Sequence, residues 1–270
     1  MFRIRINSIF LIVVCLAASA FAQPVERVDP YVTGETLTYV GKYKRFGFSF
    51  AIAELTFKVE SSGPDGRHYV VSEGNSKGSL AKLFNFKFKL KIDSLVDSEN
   101  LQVEKTTKLD IQGDRVRNSE ADFDYEVKRV IYTETDPTDP TRAPRRVASE
   151  IQPDTQDIVS AVYRLRGLDL AVGRSFDFSV SDSGLVYSIP VKVTARERVK
   201  SELGKRWCWR VEPEIFGQGK LIEQKGSLVI WITDDADRVP VQAMLDTQSG
   251  KVHIKLRKYS NLRSDQLAAK

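Results

Sequence analysis

The sequence predicts a mainly β protein: an antiparallel curved sheet or part-open β-barrel, built from two related meanders, with one short amphipathic helix. Three observations lead there. Apolar residues alternate with polar ones at period two along most of the chain. Glycine-containing turn sequences separate many of these stretches. A single segment changes to the helical period.

The elements follow in chain order. Residues 36–42 form the first strand candidate. Phe46, Phe48, Phe50 and Ile52 then share one face, and Gly47, Ser49, Ala51 and Ala53 the other, because successive strand side chains point to opposite sides. Strands at 54–60 and 68–73 flank the turn Gly63-Pro64-Asp65-Gly66. A second aromatic stripe follows, with Phe84, Phe86, Phe88, Leu90 and Ile92 opposed by Asn85, Lys87, Lys89 and Lys91. Strands at 101–111 and 121–133 are divided by Gln112-Gly113-Asp114. Residues 135–146 carry Pro137, Pro140 and Pro144 and read as a long exposed loop.

The helix is expected over 154–166. Asp154 is its N-cap, with Asp157 three residues on as an imperfect capping box. Ile158, Ala161, Val162 and Leu165 follow at i, i+3, i+4 and i+7, and Gly167 is the stop. Further strands are expected at 175–180, 187–196, 207–212, 227–233, 241–246 and 252–259. Asp182-Ser183-Gly184 and Gln248-Ser249-Gly250 supply turns between them. Connections this short join antiparallel neighbours.

The chain also resembles itself. Gly34-Glu35-Thr36-Leu37-Thr38-Tyr39 matches Gly173-Arg174-Ser175-Phe176-Asp177-Phe178 at an offset of 139 residues. Residues 97–103 match 235–241 at 138, and Asp110 matches Asp246 at 136. The expected organisation is one β domain over 23–270: a first meander at 34–133, the loop, the helix, a second meander at 173–259 and a tail at 260–270.

Residues 1–22 read as a secretory signal. Arg3 and Arg5 precede an apolar run at 9–18, and Ala20-Phe21-Ala22 fits cleavage after Ala22. The 14 residues from 9 to 22 fall short of a membrane span, which needs about 20. Cleavage leaves no transmembrane segment and places the mature chain in the periplasm or otherwise outside the cytoplasm. Cys15 follows Ile12-Val13-Val14 rather than small residues, so acylation there is not expected. The net charge of +5 falls to +3 once Arg3 and Arg5 are removed. No basic helix face or RNA-binding motif accompanies it, so nucleic acid is not an expected partner. Arg142, Arg145 and Arg146 in the loop read as solvated charge.

Chemistry is sparse. The serine-hydrolase elbow, the zinc-protease helix, the P-loop and the dinucleotide fingerprint are all absent from the sequence. Gly217-Gln218-Gly219 reads as a turn. Two histidines do not suggest a metal centre, and no cofactor is expected. Cys208, between Trp207 and Trp209, reads as an inert thiol without a disulfide partner. Asp234, Asp235 and Asp237 carry oxygen ligands that calcium accepts, but they lack the EF-hand spacing and read as turn formers.

Four phrases resemble an uncharacterised bacterial envelope family, domain of unknown function 3108: Gly34-Glu35-x-Leu37-x-Tyr39; the run from Asp157 to Arg166; Trp231-Ile232-Thr233-Asp234-Asp235 with Arg238-Val239-Pro240-Val241; and Lys255-Leu256-Arg257-Lys258-Tyr259. Together they span nearly the whole mature chain. The resemblance implies export and implies no activity. A looser likeness is to the lipoprotein-carrier fold, a half-open antiparallel barrel with helices across its mouth.

The leading expectation is a non-enzymatic envelope protein that binds a hydrophobic ligand, a lipid or an acylated protein, in an apolar concavity. Phe46, Phe48, Phe50, Phe84, Phe86 and Phe88 are expected to line it, with Ile158, Val162 and Leu165 as a lid. A curled sheet that fills its own interior is the plainer alternative. It would suit an envelope assembly factor holding a protein partner. A hydrolase built on Asp234, Asp235 or Asp237 is the remaining alternative.

Overall fold

The computed structural model describes residues 29–45, 48–60, 66–77 and 88–261. Residues 1–22, expected to be a signal with cleavage after Ala22, and Phe46, Phe84 and Phe86 lie outside the described residues. The first meander holds β1 (Thr36–Arg45), β2 (Phe48–Glu60), β3 (Arg67–Ser76), β4 (Phe88–Asp97), β5 (Val103–Gln112), β6 (Arg115–Asp124), β7 (Arg129–Thr135) and β8 (Arg145–Glu150). A two-residue strand β9 (Gln156–Asp157) leads into the helix α1 (Ile158–Arg166). The second meander holds β10 (Ser175–Asp182), β11 (Leu185–Ser201), β12 (Gly204–Pro213), β13 (Gly226–Thr233), β14 (Pro240–Thr247) and β15 (Gly250–Ser260).

All of these strands belong to one sheet, ordered β8-β7-β6-β5-β4-β3-β2-β1-β15-β14-β13-β12-β11-β10-β9. Chain neighbours pair antiparallel, as short turns dictate. Two pairings depart from this: β1 lies antiparallel to the distant β15 and joins the meanders, and β9, which reaches β10 through the helix, lies parallel to it. Five strand pairs carry a register shift. Such bulges bend and twist a strand, and here the sheet curls without closing into a barrel.

Its two rims nonetheless meet. The β10–β11 turn reaches β8, where Ser149 Oγ donates to the Gly184 carbonyl at 2.6 Å. Ser183 and Gly184 both have positive φ, 52° and 81°, the conformation of a two-residue hairpin turn. A Cβ on Gly184 would lie 2.7 Å from Cβ of both Tyr132 and Val147. Glycine is therefore required at this contact by backbone conformation and by space.

Three expectations are corrected. The stretch 121–133 is a hairpin rather than one strand. The Asp124 carboxylate accepts from the N–H groups of Glu126 and Val127, and Lys128 takes φ 55°, which turns the chain. The loop is shorter than 135–146, because Arg145 and Arg146 already pair with β7 in β8. The helix starts at Ile158, not 154, since Gln156 and Asp157 are taken up in pairing with β10. Asp157, not Asp154, is the N-cap.

The helix lies against the inner face of the sheet, with a different stripe towards each meander. Val159 and Tyr163, one turn apart, join a core containing Val59, Val70, Val96, Val103 and Val130, all fully buried. Register supplies these pairs directly: Val59 faces Val70, Val96 faces Val103 and Phe123 faces Val130. Burying each such side chain contributes about 1.5–3 kcal/mol. Leu165, with Ala161, belongs instead to a second core around Val180, Val191, Val211 and Ile232.

An apolar concavity under a doubly anchored helix

Both ends of α1 are fixed by buried charge. At its start, Ser160 N–H donates to Asp157 Oδ1 at 2.7 Å, while the Asp157 N–H donates to Ser160 Oγ at 3.0 Å. The second Asp157 oxygen accepts from Ser94 of β4 and, at 2.6 Å, from Thr106 of β5. A carboxylate at a helix N-terminus also meets the favourable end of the helix dipole. Asp157 thus ties the helix to the first meander.

At the other end, the Arg166 guanidinium makes a bidentate pair with Glu35, at 2.5 and 2.7 Å, with both side chains buried. Two further N–H groups donate to the carbonyls of Asp237 and Arg238, at 3.0 and 3.1 Å. Burial opposes the charge, but the Glu35 hydrogen bond and charge outweigh it and hold Arg166 above its ordinary value. Nearby, the Tyr39 hydroxyl donates to the Pro240 carbonyl at 2.7 Å. Tyr259 faces Leu37 across β1, and its hydroxyl is pushed up to about 12 by burial and then by Glu35 and Asp237.

Beside this latch the inner face is hollow. One cavity of about 120 Å³ lies between the helix stripe Ile158, Ala161, Val162, Leu165 and strands β10, β11 and β13. A second, of about 230 Å³, lies between Val162, Tyr163 and Arg166 and strands β1, β2, β13, β14 and β15. Val162, Leu228 and Ile230 line both, so the two volumes adjoin. The walls are almost wholly apolar, and Arg166 in the second is already engaged by Glu35. Ile158 at the rim is 39% exposed, an unusual position for isoleucine on a covered helix face.

The site residues read from the sequence divide accordingly. Ile158, Val162 and Leu165 line the concavity. Phe48 and Phe50 are 66% and 37% exposed and stack on each other at 6.1 Å. They are not part of either cavity wall. Phe50 lies five residues before the cavity residue Leu55, roughly 17 Å along an extended strand. Phe88 opens β4 with its ring over Gly74 and also lies outside both walls. Phe46, Phe84 and Phe86 lie outside the described residues.

The other candidates serve the framework. Asp234 binds Arg196 at 2.6 Å. Asp235 accepts from Thr233 Oγ1 at 2.7 Å and from the Arg238 N–H at 3.2 Å, and so holds the β13–β14 turn. Asp237 offers its carbonyl to Arg166. Cys208 is fully buried, and burial followed by Asp235 pushes its thiol up to about 11. It carries almost no thiolate at neutral pH. Among the described residues no group of three or more His, Cys, Asp or Glu side chains is placed to hold a metal ion.

Sequence reading by composition missed Glu35 and Arg166. The available signal was the set of resemblance phrases, and in the fold all four meet at this latch. Glu35 comes from the first, Arg166 from the second, Arg238 and Pro240 from the third and Tyr259 from the fourth. The family model "Protein of unknown function (DUF3108)" matches residues 37–257. The chain belongs to this family.

Among solved structures, the DUF3108 chain is similar to a β-barrel-like protein of domain of unknown function DUF1849 from Brucella abortus. The TM-score is 0.59 at 10% identity, covering 85% of this chain and 98% of that one. That likeness shows the fold. A protein with a YmcC-like fold from Bacteroides fragilis matches at TM-score 0.36 and 8% identity, covering 85% and 96%. No curated protein matches the sequence. Among the described residues no helix is long and apolar enough to cross a membrane.

Proposed function

We propose that this DUF3108 protein is an exported, non-enzymatic envelope protein whose inner concavity takes up an apolar ligand, the hydrocarbon chain of a lipid or of an acylated protein. The observation that carries this reading is the pair of adjoining apolar cavities at Val162, Leu228 and Ile230. Apolar wall left against water costs roughly 25 cal/mol per Å², and a ligand that covers it recovers that amount. Arg166 and Tyr39 in the larger cavity's wall are engaged internally by the Glu35–Arg166 latch and the Tyr39–Pro240 bond. The buried Tyr163 hydroxyl has no hydrogen-bond partner among the described residues and can meet a polar end of the ligand. Export rests on the N-terminal signal read from the sequence.

The test uses protein exported from a bacterial host and purified without detergent. Native mass spectrometry looks for a bound species of lipid-like mass, and a fluorescent fatty acid is titrated into the delipidated protein. Val162→Trp occupies the seam between the cavities and is expected to weaken probe uptake by at least about tenfold. Ala243→Phe fills the larger cavity from the opposite wall and should act in the same direction. Lys89→Ala, a surface change, should leave uptake unchanged. A clean apo mass together with equal uptake by all three variants would refute the reading and turn attention to an assembly role with a protein partner.

A further inference from the structure

The face of the sheet away from the helix carries a different cavity. Strands β1, β14 and β15 and the tip of the β11–β12 hairpin enclose a cleft of about 500 Å³. Strand alternation puts it there: Ile254 lines the apolar concavity, while its neighbours His253 and Lys255 line the cleft. Lys42, Lys44, Lys200, Lys255 and Arg257 bring five cationic side chains to its wall. Glu202 is the one acid of that wall, and it pairs with Arg257 at 3.3 Å.

The register makes this an unfavourable arrangement for an empty surface. Lys44 lies directly opposite Lys251, and Lys42 opposite His253, with Lys255 one pair further along. Like charges directly opposite one another destabilise a sheet. Elsewhere this protein sets cations beside acids, as in Lys58–Glu60, Lys105–Glu120 and Lys192–Glu214; Lys251, at the edge of this group, is itself paired with Asp246 at 2.6 Å. Among the described residues Lys42, Lys44, Lys200 and Lys255 have no ion pair. His253 is held below its ordinary value, first by burial and then by Lys44, Lys255 and Lys251, so the local potential is felt inside the cleft. Ser49 and Ser201 add neutral hydrogen-bonding groups to the wall, and Gln242 borders both this cleft and the apolar cavity. Several ammonium point charges around one volume suit a compact, multiply charged anion better than a single carboxylate.

We propose that this cleft is a binding site for a phosphate-bearing ligand, with Lys42, Lys44, Lys200 and Lys255 as its cationic contacts. The site lies on the opposite face from the apolar concavity and stands or falls separately from it.

The same phosphate chemistry is offered by a small soluble ligand and by a phospholipid head group, so the experiment has two arms. Calorimetry titrates the exported protein with pyrophosphate at low ionic strength. Flotation measures binding to phosphatidylcholine vesicles with and without phosphatidylglycerol. Lys42→Glu/Lys255→Glu is expected to weaken binding by at least about tenfold. The milder Lys44→Gln/Lys255→Gln relieves repulsion without introducing acids, and should weaken it in the same direction while keeping the thermal melt. Lys220→Glu/Lys225→Glu makes the same change in net charge outside the cleft and should cost less than about twofold. Saturable pyrophosphate binding with this variant pattern supports the site and assigns a soluble phosphate. Binding confined to the phosphatidylglycerol vesicles, with the same pattern, supports the site and assigns a lipid head group. No binding in either arm, or equal losses in the cleft and control variants, overturns it.

Discussion

Against the first meander, α1 presents Val159 and Tyr163 to five fully buried valines, and the cavity that remains there, beside Asp157 and Ile158 at the start of the helix, is about 30 Å³. Against the second, Ala161, Val162 and Leu165 face two cavities. Both walls are antiparallel sheet, and both meet the same helix. The difference comes from a plug. Tyr31, from the segment ahead of β1, is buried between His68 and Tyr163, with ring centroids at 5.0 and 4.9 Å. Its hydroxyl approaches the Ser160 carbonyl at 3.5 Å. The second core takes its aromatic from outside the strands from Phe216, in the loop between β12 and β13, which packs against it only partly buried and does not stack on the helix. The hollow lies on the flank that Tyr31 does not reach.

The sharpest way to break this comparison is to remove the latch that both flanks share. Glu35→Ala leaves Arg166 buried without its counter-charge, and the expected loss is about 3–5 kcal/mol by urea unfolding. Glu35→Leu with Arg166→Met should recover most of that loss, since a matched apolar pair leaves no orphan charge. A loss below about 1 kcal/mol in the single variant would mean the pair is solvated and the helix is held by packing alone.

Tyr31→Ala tests the plug itself. It should cost about 3 kcal/mol, as expected for deleting a large buried ring. It should also convert the filled flank into a second site for an apolar fluorescent probe. A small cost with no new probe binding would show that the first meander collapses around the space, and the contrast between the flanks would then be one of rigidity.

The smallest effect concerns acid. Burial raises the Asp29 carboxyl, but the His68 imidazole, with Nε2 at 3.4 Å, and a hydrogen bond from the Tyr31 N–H outweigh it and hold the group below its ordinary value of 3.8. A depressed carboxyl contributes stability that is complete above that ordinary value and is lost as pH falls through the lower folded value. Unfolding midpoints measured from pH 5 to pH 2 should therefore fall less steeply in Asp29→Asn than in the wild type. Parallel curves would separate Asp29 from the plug.

Part of this was legible in the residues. Period-two alternation is set by local backbone geometry, so most strands and the antiparallel class were readable from the sequence. The helical stripe Ile158, Val162, Leu165 pointed to the concavity for the same reason, because side chains at i and i+4 share a face. Where a competing interaction took over a terminus, local pattern failed: pairing with β10 moved the helix start from 154 to Ile158. The aromatic stripe at Phe48 and Phe50 failed differently. Alternation says which residues share a face, but not how far along the strand the covering helix reaches.

The sequence by itself determined the β class, most turns, the amphipathic helix and, through the four phrases, the family. Only the tertiary structure decided that β1 closes on β15, that Glu35 meets Arg166 from 131 residues away, that Tyr31 fills one flank and leaves the other hollow, and that lysines from β1, β11 and β15 gather around one cleft. Those outcomes depend on contacts between distant segments, each bought with chain entropy and specified by the packing of all the others, and no local period records them.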